Sequence, residues 1–295
     1  VVNMKAAFRE RIMSLGWMST STKAEALRKL DAYRVKVGYP EKSRDYSTIS
    51  MRRTDLYGNV LRAAAADWYF RSSRLHKPVD RGEWLMTPQM NNAYNGPLTD
   101  IVFPAAILMP PIFDPNADPA VNYGAVGGVI GHELIHGFDD QGRKFDSEGL
   151  IRNWWTDEDV RRFEEQSARL AAQYATYAPL PSLHVNPQLT MGENIADLGG
   201  IALALDAYRL FVQDREAPIL DGMTGEQRVM LGWAQAWRGK VREDALRQQL
   251  VSDPHSPRQY RTNGPLRNID AWYAAFGVGP DDKLYVPPHD RVRLW

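Results

Sequence analysis

Residues 131–140 read GHELIHGFDD, and no other stretch constrains the fold of this chain so strongly. Two histidines four positions apart, His132 and His136, with Glu133 directly after the first, share one face when they lie on an α-helix. There, residues i and i+4 sit about 40° apart in azimuth and about 6 Å apart along the axis. Both imidazoles then leave one face and can reach a single tetrahedral zinc ion at about 2.0–2.1 Å. Glu133 falls at the edge of that face, where its carboxylate can meet a water activated by the metal. A helix with two satisfied histidines is the plainer reading. With six histidines in the chain, however, this spacing arises from composition only about once in a hundred times. Glycines at 124, 127, 128 and 131 also thin one side of the helix, as close packing against a neighbour requires.

A catalytic zinc takes three protein ligands and keeps a fourth position open. The chain has no cysteine, which excludes a thiolate ligand, a cysteine nucleophile and a disulfide framework. The third ligand must therefore come from histidine or a carboxylate. GENIAD at 192–197 supplies Glu193, with Asp197 one turn later on the same face. Glu193 reads as the ligand, and Asp197 as the acceptor for the far nitrogen of a ligating histidine. The neighbours Ile195, Ala196, Leu198, Gly199, Gly200 and Ile201 are apolar or small, which argues against a solvated acidic face. Asp139 or Asp140 can orient His136 in the same way, and the sequence does not choose between them.

The rest of the chain is ordinary globular material. Its 295 residues, 44% hydrophobic, can supply a full core, and zero formal net charge gives no field to draw in nucleic acid. The longest apolar run, IVFPAAILMPPIF at 101–113, is too short to span a membrane and is broken by prolines. The opening VVNMKAAFRERIM lacks the features of a secretory signal and reads as a helix already under way, so the chain is expected to begin inside a longer protein. Apolar spacing predicts helices over 2–16, 22–37 and 52–75, the last feeding Trp68, Tyr69 and Phe70 into a core. Short β-prone pieces follow, EWLM and then DIVFPAAIL, predicting a small antiparallel sheet between 83 and 113. Further helices are expected near 124–139, 157–177, 190–213, 226–240 and 268–276. The expected class is α+β, mainly α, in one domain spanning 1–295: a helical segment (1–75), a small sheet region (83–113) and a zinc-binding helical region (120–295).

Four separated blocks carry a resemblance: NAYN followed by IVFPAAILMPP, then GHELIHGFDDQGRKFD, GENIADLGG and DPHSPRQYR, with a closing VRLW. In this order they resemble the neprilysin family of zinc metallopeptidases, over essentially the whole chain. The resemblance implies a thermolysin-like zincin lobe, one zinc ion on His132, His136 and Glu193, and Glu133 as general base. It implies that Asp197 steadies a ligand and that His255 stabilises the oxyanion, while Arg261 donates to a substrate carbonyl. Asn92 and Ala93 match the pair that holds substrate backbone on an edge strand, by β-augmentation; read alone, Asn92 is a turn asparagine. Ile107, Ile112, Val129 and Trp237 match an apolar pocket for the residue after the cut. The implied activity is endopeptidase cleavage of oligopeptides, outside the cytoplasm, by a monomer whose N-terminal lobe is missing from this chain. The lack of cysteine looks bacterial, because the animal members depend on disulfides.

Two other readings compete. A zinc aminopeptidase shares the HExxH helix but places its glutamate ligand about eighteen residues after the second histidine and carries a Gly-x-Met-Glu-Asn motif, which this sequence lacks. A zinc-binding fragment without turnover is the alternative if the missing lobe is indispensable. His76, His184 and His289 match no motif, and Trp154–Trp155 reads as packing.

Overall fold

The computed structural model describes residues 1–96, 99–213 and 215–295. Helix α1 (Val2–Ser14) turns back into α2 (Thr20–Ala32), whose start is capped by the Ser19 side chain accepting from the Thr22 N–H. The expected second helix ends five residues early. After Ala32 the backbone turns extended at Tyr33 and runs into strand β1 (Arg34–Gly38), where Val35 and Val37 alternate with charged residues. These β-branched residues suit a strand.

Helix α3 (Leu56–Ser72) forms close to its expected place but buries nothing. Trp68 and Tyr69, expected in a core, are each 74% exposed. The EWLM segment forms no strand; the sheet instead uses β2 (Tyr94–Gly96) and β3 (Asp100–Pro104), after which Ala105–Ile107 turns as a 3₁₀ helix. The sheet is small, as expected, but mixed rather than purely antiparallel. Its order is β1-β3-β2, with β2 antiparallel to β3 and β1 parallel to it, Val35 opposite Ile101 and Val37 opposite Phe103. A parallel neighbour needs a long crossover, and the chain from 39 to 99, with α3 in it, provides one. Every residue of β3 is buried, as befits the central strand.

The expected zinc helix is built in three pieces. A short α4 (Pro119–Asn122) leads through a wider π-helical turn (Tyr123–Gly127) into α5 (Gly128–His136), which Gly137 ends. Helix α6 (Asp157–Ala175) is followed by α7 (Pro187–Val212), which starts three residues earlier than expected because Asn186 caps it and Pro187 takes its first position. Helices α8 (Gly225–Ala236) and α11 (Asp270–Phe276) match expectation closely. Between them lie two helices absent from the sequence reading, α9 (Glu243–Ser252) and α10 (Arg258–Leu266).

The organising contact is α5 across α7. A Cβ added to Gly131 would lie 2.6 Å from the Gly200 carbonyl oxygen, and one added to Gly200 would lie 2.7 Å from the His132 nitrogen. The two backbones therefore touch with no side chains between them, which is why glycine is required on both sides. Behind α5, Phe8, Phe138 and Trp295 pack edge to face with ring centroids 4.9–5.6 Å apart. Trp154 and Trp155 are buried and pack against one another, as expected. Among the described residues no helix is long and apolar enough to cross a membrane.

Candidate metal centre

One turn of α5 separates His132 from His136, and their Nε2 atoms lie 3.0 Å apart. Helix α7, drawn in by the glycine contact, brings the Glu193 carboxylate to 3.2 Å from His132 Nε2 and 3.5 Å from His136 Nε2. The far nitrogens both face carboxylates: His132 Nδ1 lies 2.8 Å from Asp197 Oδ1, and His136 Nδ1 lies 2.7 Å from Asp139 Oδ2. The choice between Asp139 and Asp140 thus falls on Asp139. Its other oxygen accepts from the Gln141 and Gly142 N–H groups, while Asp140 accepts from the Gln141 side chain.

The three donor groups converge within 4.8 Å of one another, the only such cluster of His, Cys, Asp or Glu among the described residues. Each Nδ1 faces a carboxylate, which fixes the ring orientation and directs both Nε2 atoms at one point. Four carboxylates, those of Glu133, Asp139, Glu193 and Asp197, surround the two imidazoles. Burial opposes charge on His132, yet its hydrogen bonds to Asp197 and Glu193 carry its pKa up to about 10. Burial likewise opposes charge on Glu193, and the adjacent His132 holds it well below the usual carboxylate range. The point between these groups therefore favours positive charge. Two imidazoles and a carboxylate, with no thiolate, fit zinc.

Glu133 is buried beside this point, and burial raises its pKa. Among the described residues no donor reaches its Oε2. Asp197, fully buried, also accepts Nε and Nη2 of Arg261 at 2.7 Å each, and the Arg261 guanidinium stacks 3.7 Å over the Trp237 ring. Arg261 thus reaches the site from α10, a helix rather than the expected proline-stiffened loop, with two donors committed to Asp197. His255 Nε2 lies 3.2 Å from Glu193 Oε2, and His255 Nδ1 lies 2.7 Å from Asp253 Oδ1. Asp253 escaped the sequence reading, although an aspartate two residues before a site histidine was the available signal.

The other expected site residues stand outside the ligand cluster itself. Asn92 is exposed, its N–H donating to the Met90 carbonyl, and Ala93 is buried just ahead of β2, so neither lies in the strand. Pairing with β3 begins only at Tyr94. Asn95, also missed, ties β2 to the zinc helix: its amide donates to the Glu133 carbonyl at 2.6 Å and to the Tyr33 hydroxyl at 2.9 Å. Ile107 and Val129 are buried, while Ile112 and Trp237 are partly buried against the core. His76, His184 and His289 take no part in the cluster.

A buried His-Glu-x-x-His helix facing a glutamate from a second helix defines the zincin class of metal centre. The family model for Peptidase family M13 matches residues 91–292, and a second model of the same description matches residues 1–40. The chain belongs to peptidase family M13. It is 36% identical to mouse endothelin-converting enzyme 1 over 311 residues, covering 100% of this chain and 39% of the relative. It is also 36% identical to a neutral endopeptidase of Lactobacillus helveticus, covering 99% and 44%. The fold matches a crystal structure of Mycobacterium tuberculosis zinc metalloprotease Zmp1 in complex with inhibitor, with a TM-score of 0.97 and 50% identity, over 100% of this chain and 46% of that one. PepO from Lactobacillus rhamnosis matches with a TM-score of 0.90 and 34% identity, over 99% and 45%. The chain thus spans less than half the length of each of these relatives.

Proposed function

We propose that this chain is the catalytic portion of a zinc endopeptidase acting on oligopeptides. The observation that carries the reading is the convergence of His132, His136 and Glu193 on one point beside Glu133, whose Oε2 meets no donor among the described residues. His132, His136 and Glu193 would hold one zinc ion. Zinc supplies Lewis acidity there, acidifying a water and polarising a carbonyl. Glu133 takes the proton of the attacking water and returns it to the leaving amine; its raised pKa brings it closer to the working pH of a general base. Asp197 and Asp139 keep the two imidazoles aimed. His255, oriented by Asp253, offers Nε2 to the developing oxyanion. Arg261 hydrogen-bonds a substrate carbonyl through the donors that Asp197 leaves free. Asn92 and Ala93 hold the substrate backbone extended, and Ile107, Ile112, Val129 and Trp237 favour an apolar residue after the cut.

The rest of the protein completes the substrate chamber. The apolar residues left in water on α3, among them Leu56, Tyr57, Trp68 and Tyr69, support a covering partner there. By family resemblance, the enzyme acts as a monomer outside the cytoplasm. The test is Glu133→Gln, assayed by mass-spectrometric mapping of a peptide library with the whole protein and with this chain alone, alongside metal analysis. Zinc content should persist while cleavage falls by about 10²–10⁴-fold. Cleavage at the wild-type rate in a zinc-loaded variant would remove Glu133 from the mechanism.

A further inference from the structure

Lysine is seldom fully buried without a partner, yet Lys29 on α2 is 2% exposed. Its ammonium donates to three backbone carbonyls, those of Gly137 at 2.6 Å, Gly142 at 2.8 Å and Phe145 at 2.6 Å. All three belong to the loop that leaves the C-terminus of α5. Gly137 directly follows His136, Gly142 sits midway and Phe145 closes the loop, so the segment curls around a single cation. Within that curl lies Asp139, whose one oxygen faces His136 Nδ1 and whose other accepts the N–H of Gly142. The ammonium and the carboxylate thus grip Gly142 from opposite ends of its peptide groups. The Phe138 and Trp154 rings lie 5.3 and 5.8 Å from Lys29 Nζ, within reach of cation–π attraction. Burial draws the Lys29 pKa down to about 8, with Asp139 and Asp146 pulling it back up, so the group is still charged at neutral pH.

We propose that Lys29 is a positioning residue for the metal centre: its ammonium organises the loop 137–145 so that Asp139 meets His136. Lys29 acts through Asp139 and touches neither metal nor substrate. The inference rests on the reading of His132, His136 and Glu193 as metal ligands. It extends that reading by making α2, an element from the other end of the chain, a determinant of metal affinity.

The test is a double-mutant cycle on zinc affinity in the full protein, read by competition with a chromophoric chelator, with the thermal midpoint of the metal-free protein measured in parallel. The variants are Lys29→Gln, which keeps amide donors near the carbonyls, Lys29→Met, Asp139→Asn and the Lys29→Gln/Asp139→Asn pair. Asp139→Asn should weaken zinc binding by about 10–100-fold, the usual cost of losing an orienting partner. Lys29→Gln should weaken it by a similar factor, and the pair by little more than the worse single change. A merely structural lysine would lower the metal-free midpoint and leave the two affinity losses independent. Unchanged affinity in a folded Lys29 variant overturns the proposal, as do multiplying losses in the pair. If both Lys29 variants fail to fold, Lys29 is a folding determinant and the proposal is equally overturned. If the wild-type protein takes up no zinc, the metal reading itself has failed, an outcome distinct from all of these.

Discussion

Gly200→Ala should separate the zinc ligands without altering any of them. The added methyl would lie 2.7 Å from the Gly128 carbonyl oxygen, 2.7 Å from the His132 nitrogen and 3.0 Å from the His132 Cα. Ordinary contact begins near 3.4 Å, so α7 must retreat from α5 by roughly 0.7 Å, because backbone cannot rotate out of the way. Overpacking of this kind costs about 1–3 kcal/mol, which for a domain of this size lowers the thermal midpoint by several degrees. The larger effect falls on the metal. Glu193 rides on α7 and the two histidines on α5, and zinc sites tolerate departures of only about 0.2 Å in ligand distance. Zinc affinity should therefore fall by at least about tenfold. Gly199→Ala is the comparison, because its methyl meets the buried Ile135 side chain at 2.7 Å rather than backbone, so its cost falls on core packing and not on the spacing of the two helices. Differential scanning calorimetry of the metal-free proteins and chelator competition would measure both effects. If Gly200→Ala keeps wild-type zinc affinity, or Gly199→Ala lowers that affinity more, the argument from backbone contact is wrong.

Metal removal provides a second check. A ligand present at a hundred times its dissociation constant stabilises the native state by about 2.7 kcal/mol, so a chelator should lower the thermal midpoint by several degrees. That difference should vanish in Glu193→Ala. A third concerns acid. Burial alone would raise the pKa of Asp159, but the hydroxyls of Ser19, Thr22 and Thr156 and the Ser19 N–H hold it below its ordinary 3.8. A carboxylate depressed in the folded state stabilises the protein above its unfolded pKa and loses that contribution as pH falls through the folded value. Asp159→Asn should cost about 1.5–3 kcal/mol at pH 7, with the gap to wild type narrowing below about pH 4 in urea titrations. A constant gap from pH 7 to pH 3 would exclude this role for the charge.

The sequence made the centre of this site legible because helical spacing is a local rule. His132, Glu133 and His136 follow from period alone, and the Glu193–Asp197 pair repeats that logic on a second helix. What the helices meet is set by tertiary contact, and there the reading thinned. Trp68 and Tyr69 look like core residues in any window, but nothing among the described residues covers them. Val35 and Val37 follow a helical run without a break signal, and the partner that makes them a strand, β3, lies 66 residues later. Helix α10 went unseen because DPHSPRQYR opens with two prolines, yet a proline just before a helix is a favourable start. The pairing of Arg261 with Asp197 and its stack on Trp237 depend on the crossing of three helices, which no local window of sequence contains. Lys29 reads from sequence as a surface lysine on a polar helix, and only the return of the loop after His136 makes it an interior cation.

The strand Asp100–Pro104 lies between a neighbour from the first forty residues and one just ahead of it in sequence. A shortened protein starting near residue 90 would keep both histidines and Glu193 but strip one flank of this buried strand, leaving a row of unanswered amides and carbonyls on an apolar ribbon. Such an edge recruits whatever extended chain comes within reach, including another copy of itself. A minimal fragment trimmed to the metal-binding helices should therefore clump during expression. Trials of smaller versions do best to retain everything from the opening helical hairpin onward.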